Sequence, residues 1–247
     1  MSSLNDRLRR ATARLLPAKL AKLTLEQPLA SVTFDDFPRS AWTVGGPILG
    51  AHGVKATYYA AGRYCGAEED GLAYYDAADL RAVADAGHEV GCHSWGHVQG
   101  HRERSTGLVA DADRNAAFFR ETLGDRPAVS FAYPYGELSA RTKALFAARF
   151  ATCRGVHGGI NAGVVDLGDL RAEPIETRSW SPERVEAAVD EAVRRKAWLI
   201  FFTHDVSESP SAYGCTPAML DHALATLAAA KVEALPVKAA LARATFG

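Results

Sequence analysis

The sequence predicts a parallel α/β fold, a barrel or a doubly wound sheet, built around one core. Three observations predict it. After residue 30, short apolar runs alternate with amphipathic segments of helix length. Runs such as Trp198-Leu199-Ile200-Phe201-Phe202 are apolar at every position, as a strand covered on both faces requires. Polar residues able to do chemistry stand just past the ends of these runs, and in a parallel fold those ends emerge on one face. A chain of 247 residues is long enough to build such a domain once.

In order along the chain, strands are expected at 31–34, 55–60, 89–92, 128–133, 151–153, 170–175, 197–203 and 232–235. Helices are expected between them at 41–51, 77–86, 107–123, 139–148, 182–196 and 216–230. Ser181-Pro182 and Thr216-Pro217 each set an N-cap before a first-turn proline. Gly87 and Gly124 stand where helices should stop. No linker, repeat or low-complexity run divides residues 30–247, which read as one domain. Residues 1–29 read apart from it, as a basic amphipathic helical segment (Arg7, Arg9, Arg10, Arg14, Lys19, Lys22) with leucines at near-helical spacing. Pro17 would split it into two short helices. Such a segment would pack on the outside of the domain, on the second subunit of a homodimer, or on an anionic inner membrane surface.

Composition narrows the field of functions. A formal net charge of −1 gives no argument for nucleic acid as a partner. Cys65, Cys92, Cys153 and Cys215 are dispersed and read as reduced thiols, with Cys92 facing the interior. No run approaches the roughly 18–20 apolar residues of a membrane span. The early leucines are broken up by Asp6, Arg7, Arg9, Arg10 and Arg14, which leaves no apolar signal core. The expectation is therefore a cytoplasmic protein or one at the inner face of the membrane. Gly45-Gly46 and Gly158-Gly159 lack the pattern of a dinucleotide loop.

Ser31-Val32-Thr33-Phe34-Asp35-Asp36-Phe37-Pro38 is the most informative stretch. Two ionised aspartates at the end of a buried strand repel each other and cost desolvation energy, unless a cation or a shared proton offsets it. His93-Ser94-Trp95-Gly96-His97 supplies two imidazoles four apart, on one face if the backbone makes a helical turn. With one aspartate they would complete a facial metal site. The remaining strand ends carry Tyr133-Pro134-Tyr135, the stretch from Glu176 to Trp180, and Thr203-His204-Asp205.

These blocks, in this order, resemble the NodB-like polysaccharide deacetylases of carbohydrate esterase family four across about residues 31–235. The resemblance implies an irregular (β/α) barrel of seven or eight strands. It implies removal of an acetyl group from an N-acetylated sugar of the N-acetylglucosamine type, with one divalent metal, commonly zinc. Carried onto this chain, Asp36, His93 and His97 would hold the metal, Asp35 would be the general base and His204 the general acid. The Tyr135 N–H would join in stabilising the oxyanion, and Ser94 would hydrogen-bond behind the metal loop. The expected partner is an N-acetylated oligosaccharide or polysaccharide, lipid-linked in one version, used in exopolysaccharide or adhesin assembly.

The sequence departs from the family pattern at four places. Ala132 stands where the family's third motif has the arginine that pairs with the base, and Arg178 is expected to reach Asp35 in its place. Glu176 matches only loosely the acidic residue that orients the acid histidine. Phe201 replaces the leucine of the acetate pocket, and Phe37 replaces a glycine. Trp95 and Trp180 are candidates for stacking on a pyranose, core packing being the alternative. His101 continues the spacing of His93 and His97, but a hydrolytic site needs an open position, so it is not expected as a ligand. These departures keep a rival open: a hydrolase of a non-sugar amide, such as a cyclic ureide or a small N-acyl compound, on the same barrel.

Overall fold

The computed structural model describes residues 12–13 and 15–246. Its central sheet has β1 (Leu29–Phe34), β2 (Thr57–Ala60), β3 (Glu89–Cys92), β4 (Ser130–Ala132), β5 (Thr152–Arg154), β6 (Glu173–Pro174), β7 (Trp198–Thr203) and β8 (Glu233–Ala234). The order is β6-β7-β1-β2-β3-β4-β5 with β8 beside β1, and every pairing is parallel. A further parallel bridge joins Arg154 to Leu170, in the segment that leads into β6. The sheet is thereby curled back on itself, as an irregular (β/α) barrel requires.

β7 shows why an all-apolar run was needed. Leu199 and Phe201 pack with Val185, Val189, Leu220 and Leu224 of the covering helices. Trp198, Ile200 and Phe202 join Leu29, Leu170, Val237 and Ala240 on the other side of the sheet. Burying each large side chain contributes about 1.5–3 kcal/mol, so both faces of this strand anchor the fold. On β1 the row Leu29, Ser31, Thr33 follows the inner side, where Ser31 Oγ accepts from Trp198 Nε1 at 3.0 Å. Asp35 is the next member of that row.

The helices are α1 (Arg39–Thr43), α2 (Gly45–Ala51), α3 (Ala77–Asp85), α4 (Ser105–Leu123), α5 (Ala140–Arg149), α6 (Pro182–Arg195), α7 (Pro217–Ala229) and α8 (Val237–Arg243). Both expected caps form: Ser181 Oγ accepts from Arg184 N, and Thr216 Oγ1 accepts from Met219 N. The single helix expected at 41–51 is two, broken at Val44 (φ −110°). In one continuous helix the Pro47 ring would meet the Thr43 carbonyl. The unexpected α8 closes the sheet at the end remote from residue 35. Val237 N donates to Thr57 Oγ1 at 2.9 Å and Lys238 N to Glu89 Oε2 at 2.7 Å, both acceptors being at strand beginnings.

The N-terminal segment corrects the expectation of helix over 1–29. Leu20–Thr24 is a strand, paired antiparallel with Gly163–Asp166 and with Thr245–Phe246. The leucine spacing misleads because Leu20 and Leu23 fall on opposite faces of that strand, the first 61% exposed and the second buried. Thr12, Ala13 and Leu15 are helical, and the rest of the expected helix, residues 1–11 and 14, lies outside the described residues. No helix among the described residues is long and apolar enough to cross a membrane.

Asp166 fastens this segment to the barrel. Its carboxylate accepts from Ala18 N (3.0 Å), Lys19 N (2.8 Å) and Gly168 N (2.9 Å), and it faces the fully buried Lys143 Nζ at 2.9 Å. Burial alone would raise its pKa, yet Lys143 and these N–H groups hold it below the ordinary carboxylate value. Asp166→Ala leaves the Lys143 charge buried without its partner. We expect a loss of about 3–5 kcal/mol in urea denaturation, partly recovered by adding Lys143→Met. The pH dependence has a definite sign. A depressed carboxylate contributes its full stability above the unfolded pKa of about 3.9, and loses it as the pH falls through the lower native value.

Candidate metal centre

The chain leaves several strand ends in left-handed conformations. Of the eight non-glycine residues with positive φ among the described residues, five stand here: Asp36 (61°), Phe37 (59°), Ser94 (62°), His97 (49°) and Tyr135 (60°). Such backbone costs energy and persists where the surroundings enforce it. The helical turn expected to align His93 with His97 is absent, and the reversals at Ser94 and His97 bring the two rings together instead. α4 enforces that loop. Asp111 accepts from Trp95 N (2.6 Å) and Gly96 N (2.8 Å), while Asn115 accepts from Gly62 N (2.9 Å) and donates to the Ala60 carbonyl (3.1 Å).

Ligand atoms of Asp36, His93 and His97 all lie within 4.8 Å of one another. Asp36 Oδ1 is 3.0 Å from His97 Nε2 and 3.2 Å from His93 Nε2. The other ring nitrogens are taken: His93 Nδ1 is 2.8 Å from the Ala132 carbonyl and His97 Nδ1 is 3.1 Å from the Tyr64 hydroxyl. A carbonyl only accepts, so His93 carries a proton on Nδ1, which leaves Nε2 as the nitrogen that a cation would use. Asp36 Oδ1 is buried and accepts no hydrogen bond of its own. A carboxylate oxygen and imidazole lone pairs converging on one point fit a divalent cation such as zinc or another transition ion.

The electrostatics agree. Burial opposes charge on Asp36, yet the two imidazoles hold its carboxyl well below the usual carboxylate range. Burial likewise depresses His93, but the Asp36 contact and the charge of Asp35 prevail and raise it. At His97 burial wins and the pKa is lowered.

Asp35 is buried beside this cluster, and its partner corrects the expectation. Arg154 Nη2, not Arg178, donates to Asp35 Oδ1. The Arg154 side chain is 1% exposed and lies between the Tyr59 and Phe202 rings, 5.2 and 5.1 Å from their centroids. Its Nη1 also donates to the Gly155 carbonyl at 3.0 Å. Arg178 pairs with Glu176 (2.6 Å) and stacks over Tyr213 (4.3 Å), because the turn Thr177–Ser179 is pinned to that loop. Glu176 accordingly does not orient His204. His204 Nδ1 meets the Tyr213 carbonyl at 3.2 Å, and Nε2 lies 3.9 Å from Asp36 Oδ2.

A cavity of about 460 Å³ joins Asp35, Asp36, His93, His97, Tyr135, Glu176, Arg178 and His204. Tyr135 stands at its mouth, 55% exposed, with its ring 4.3 Å from that of His97. Trp95, Trp180 and Phe201 are not on its wall. Trp95 packs against the bare Cα of Gly62, the edge of Phe118 and the Arg114 guanidinium, anchoring the histidine loop. Trp180 packs on His222. Phe201 faces the helices, and the alternation of the strand puts Phe202 on the cavity. Ser94 Oγ is buried without a hydrogen-bond partner, so the expected bond behind the metal loop is not formed. His101 faces Glu137 (3.6 Å) and stays outside the cluster. Cys92 is buried as expected, and burial pushes its thiol up to about 11.

Sequence reasoning missed Arg154, Tyr64, Asp111, Asn115 and Tyr213. Arg154 had a signal: it is the last residue of β5, and the rule that flagged the other strand ends applies to it. Tyr64 ends a single 3-10 turn (Gly62–Tyr64) and Tyr213 lies in a loop, and no periodicity marks either.

The sequence profile of the polysaccharide deacetylase family matches residues 22–152. Comparison with curated proteins found no match. Among solved structures, the chain is similar to the Xyl-CE4 domain of a multidomain xylanase from the hindgut metagenome of Trinervitermes trinervoides. The identity is 16% and the TM-score 0.60, over 87% of this chain and 89% of that one. It is similar to a family 4 acetyl xylan esterase from Clostridium thermocellum in complex with a cobalt ion (24% identity, TM-score 0.59, 85% and 89% covered). It is also similar to a CE4 family pseudoenzyme from Bacillus anthracis (15%, 0.60, 89% and 67%). At these identities the likeness establishes the fold.

Two outcomes test the centre. Asp36→Ala or His93→Ala should lower zinc affinity by more than about 100-fold in competition with a chelating dye. Arg154→Met, which strands a buried carboxylate, should cost about 3–5 kcal/mol in chemical denaturation, and Asp35→Asn in the same chain should restore most of it.

Proposed function

Because the chain belongs to the polysaccharide deacetylase family, carbohydrate esterase family 4, we propose that it is a metal-dependent hydrolase. Its reaction is removal of the acetyl group from an N-acetylated sugar of the N-acetylglucosamine type. One observation carries this reading. A three-residue cluster is flanked in the same cavity by a buried carboxylate held by an arginine and by a histidine whose Nε2 faces the cluster. A divalent ion, zinc in this proposal, would be held by Asp36, His93 and His97, and when bound would acidify water and polarise the acetamide carbonyl.

The residues of the chain do the rest. Asp35 takes the proton of the attacking water, and Arg154 fixes the carboxylate oxygen that does not. The Tyr213 carbonyl orients His204 through Nδ1, so that Nε2 points into the cavity. From there it delivers a proton to the departing nitrogen, which leaves poorly until protonated. Tyr135, in its left-handed turn, offers a backbone N–H to the oxygen on which charge develops. Phe202 and Tyr135 border the space for the acyl group. The polymer or precursor form of the sugar, a lipid link, work near the inner membrane face, exopolysaccharide or adhesin assembly, and a homodimer remain part of the proposal as read from the sequence.

The test is acetate release by the zinc- or cobalt-loaded protein. Chitooligosaccharides should yield acetate, and Asp35→Asn and His204→Ala should each lower kcat by about 100- to 10,000-fold with metal content unchanged. Turnover of small N-acyl compounds or cyclic ureides without turnover of sugars would replace this reading by that of a non-sugar amidohydrolase.

A further inference from the structure

Glu176 is buried in the wall of the cavity, 1% exposed, and one of its oxygens lacks a partner. Oε2 accepts from Arg178 Nε at 2.6 Å, while Oε1 receives no hydrogen bond from any described residue. A buried carboxylate oxygen left without a donor is costly. His204 is not the missing donor, since its Nδ1 is held by the Tyr213 carbonyl and its Nε2 is turned toward Asp36.

Arg178 complements that oxygen. Half of its side chain is exposed, its guanidinium lies 4.3 Å over the Tyr213 ring, and its Nε is committed to Glu176. Its two terminal amino groups donate no hydrogen bond to the described residues, and Arg178 lines the same cavity. Both side chains are held in place. Thr177 N donates to the Gly214 carbonyl at 2.9 Å and Thr177 Oγ1 to the Ser211 carbonyl at 2.8 Å. Asp205 in turn ties down Ser211 through its N (2.8 Å) and Oγ (2.5 Å). A fixed acceptor beside fixed donors matches a group that both donates and accepts, which describes a hydroxyl.

We infer that Glu176 and Arg178 form a hydroxyl-recognising pair that reads one hydroxyl of the sugar bearing the acetamide. The hydroxyl donates to Glu176 Oε1 and accepts from an Arg178 amino group. This rests on the reading of the chain as a sugar deacetylase and supplies the specificity for sugar that the metal cluster lacks. A site built to hydrogen-bond a hydroxyl rejects analogues without it, because its buried partner is then left unpaired.

The experiment uses the full-length, zinc-loaded protein and a set of N-acetylglucosamine disaccharides, each lacking one hydroxyl. Wild-type protein should lose roughly 10- to 100-fold in kcat/KM on one member of the set. In Glu176→Ala that member should be turned over no worse than the complete sugar, and in Arg178→Met its penalty should shrink. Arg178 is surface-accessible, so the second variant serves if the first does not fold. A penalty of equal size in wild type and variants, or no member penalised more than threefold, would overturn the pair while leaving the deacetylase reading in place. Wild-type protein that frees no acetate from any N-acetylated sugar would overturn both.

Discussion

Asp35 and Asp36 leave the same strand end, and two carboxylates so close together need separate partners. At an effective dielectric constant of 20, two unit charges 4 Å apart repel by roughly 4 kcal/mol, before any cost of desolvation. The fold separates the pair by backbone conformation. Asp35 continues the inward row of β1 and meets Arg154, whereas Asp36 turns into a left-handed conformation and meets two imidazoles. One carboxylate thus has a permanent cation from the protein, and the other faces two imidazoles with which it would share a metal ion.

The backbone strain at the site is offset locally, and Phe37 shows how. A non-glycine residue in the left-handed region costs about 1–2 kcal/mol. The Phe37 ring is fully buried, 4.8 Å from Tyr58 and 4.7 Å from Tyr75. Burial of a phenylalanine contributes about 1.5–3 kcal/mol, and each aromatic pair about 0.5–1.5 kcal/mol more. Packing therefore exceeds strain, and a residue that the resemblance marks as a departure from glycine is compatible with the same turn.

The sheet was legible because buried parallel strands must be apolar on both faces, and each of the eight overlaps an expected run. The convergence of Asp36, His93 and His97 was legible because few patterns bring Asp-Asp at one strand end together with two histidines past another. Partners were not legible. Which guanidinium reaches Asp35 depends on the register of β4 with β5, which pairs Ala132 with Arg154. Which group holds His204 depends on a loop closure at Tyr213. The strand Leu20–Thr24 was read as helix because its register comes from Gly163–Asp166, more than a hundred residues away.

The Ala132–Arg154 pairing also gives the substituted arginine a simple geometry. Neighbours across a parallel sheet lie about 4.8 Å apart and point to the same face. A long side chain moved from one to the other can still bring its guanidinium to a single carboxylate. In this chain the arginine comes from β5, held between Tyr59 and Phe202, and β4 keeps an alanine whose carbonyl is free to fix His93. A similar exchange occurs at His204. A backbone carbonyl holds His204, so the buried Glu176 nearby has no histidine to orient, and one of its oxygens is left without a partner.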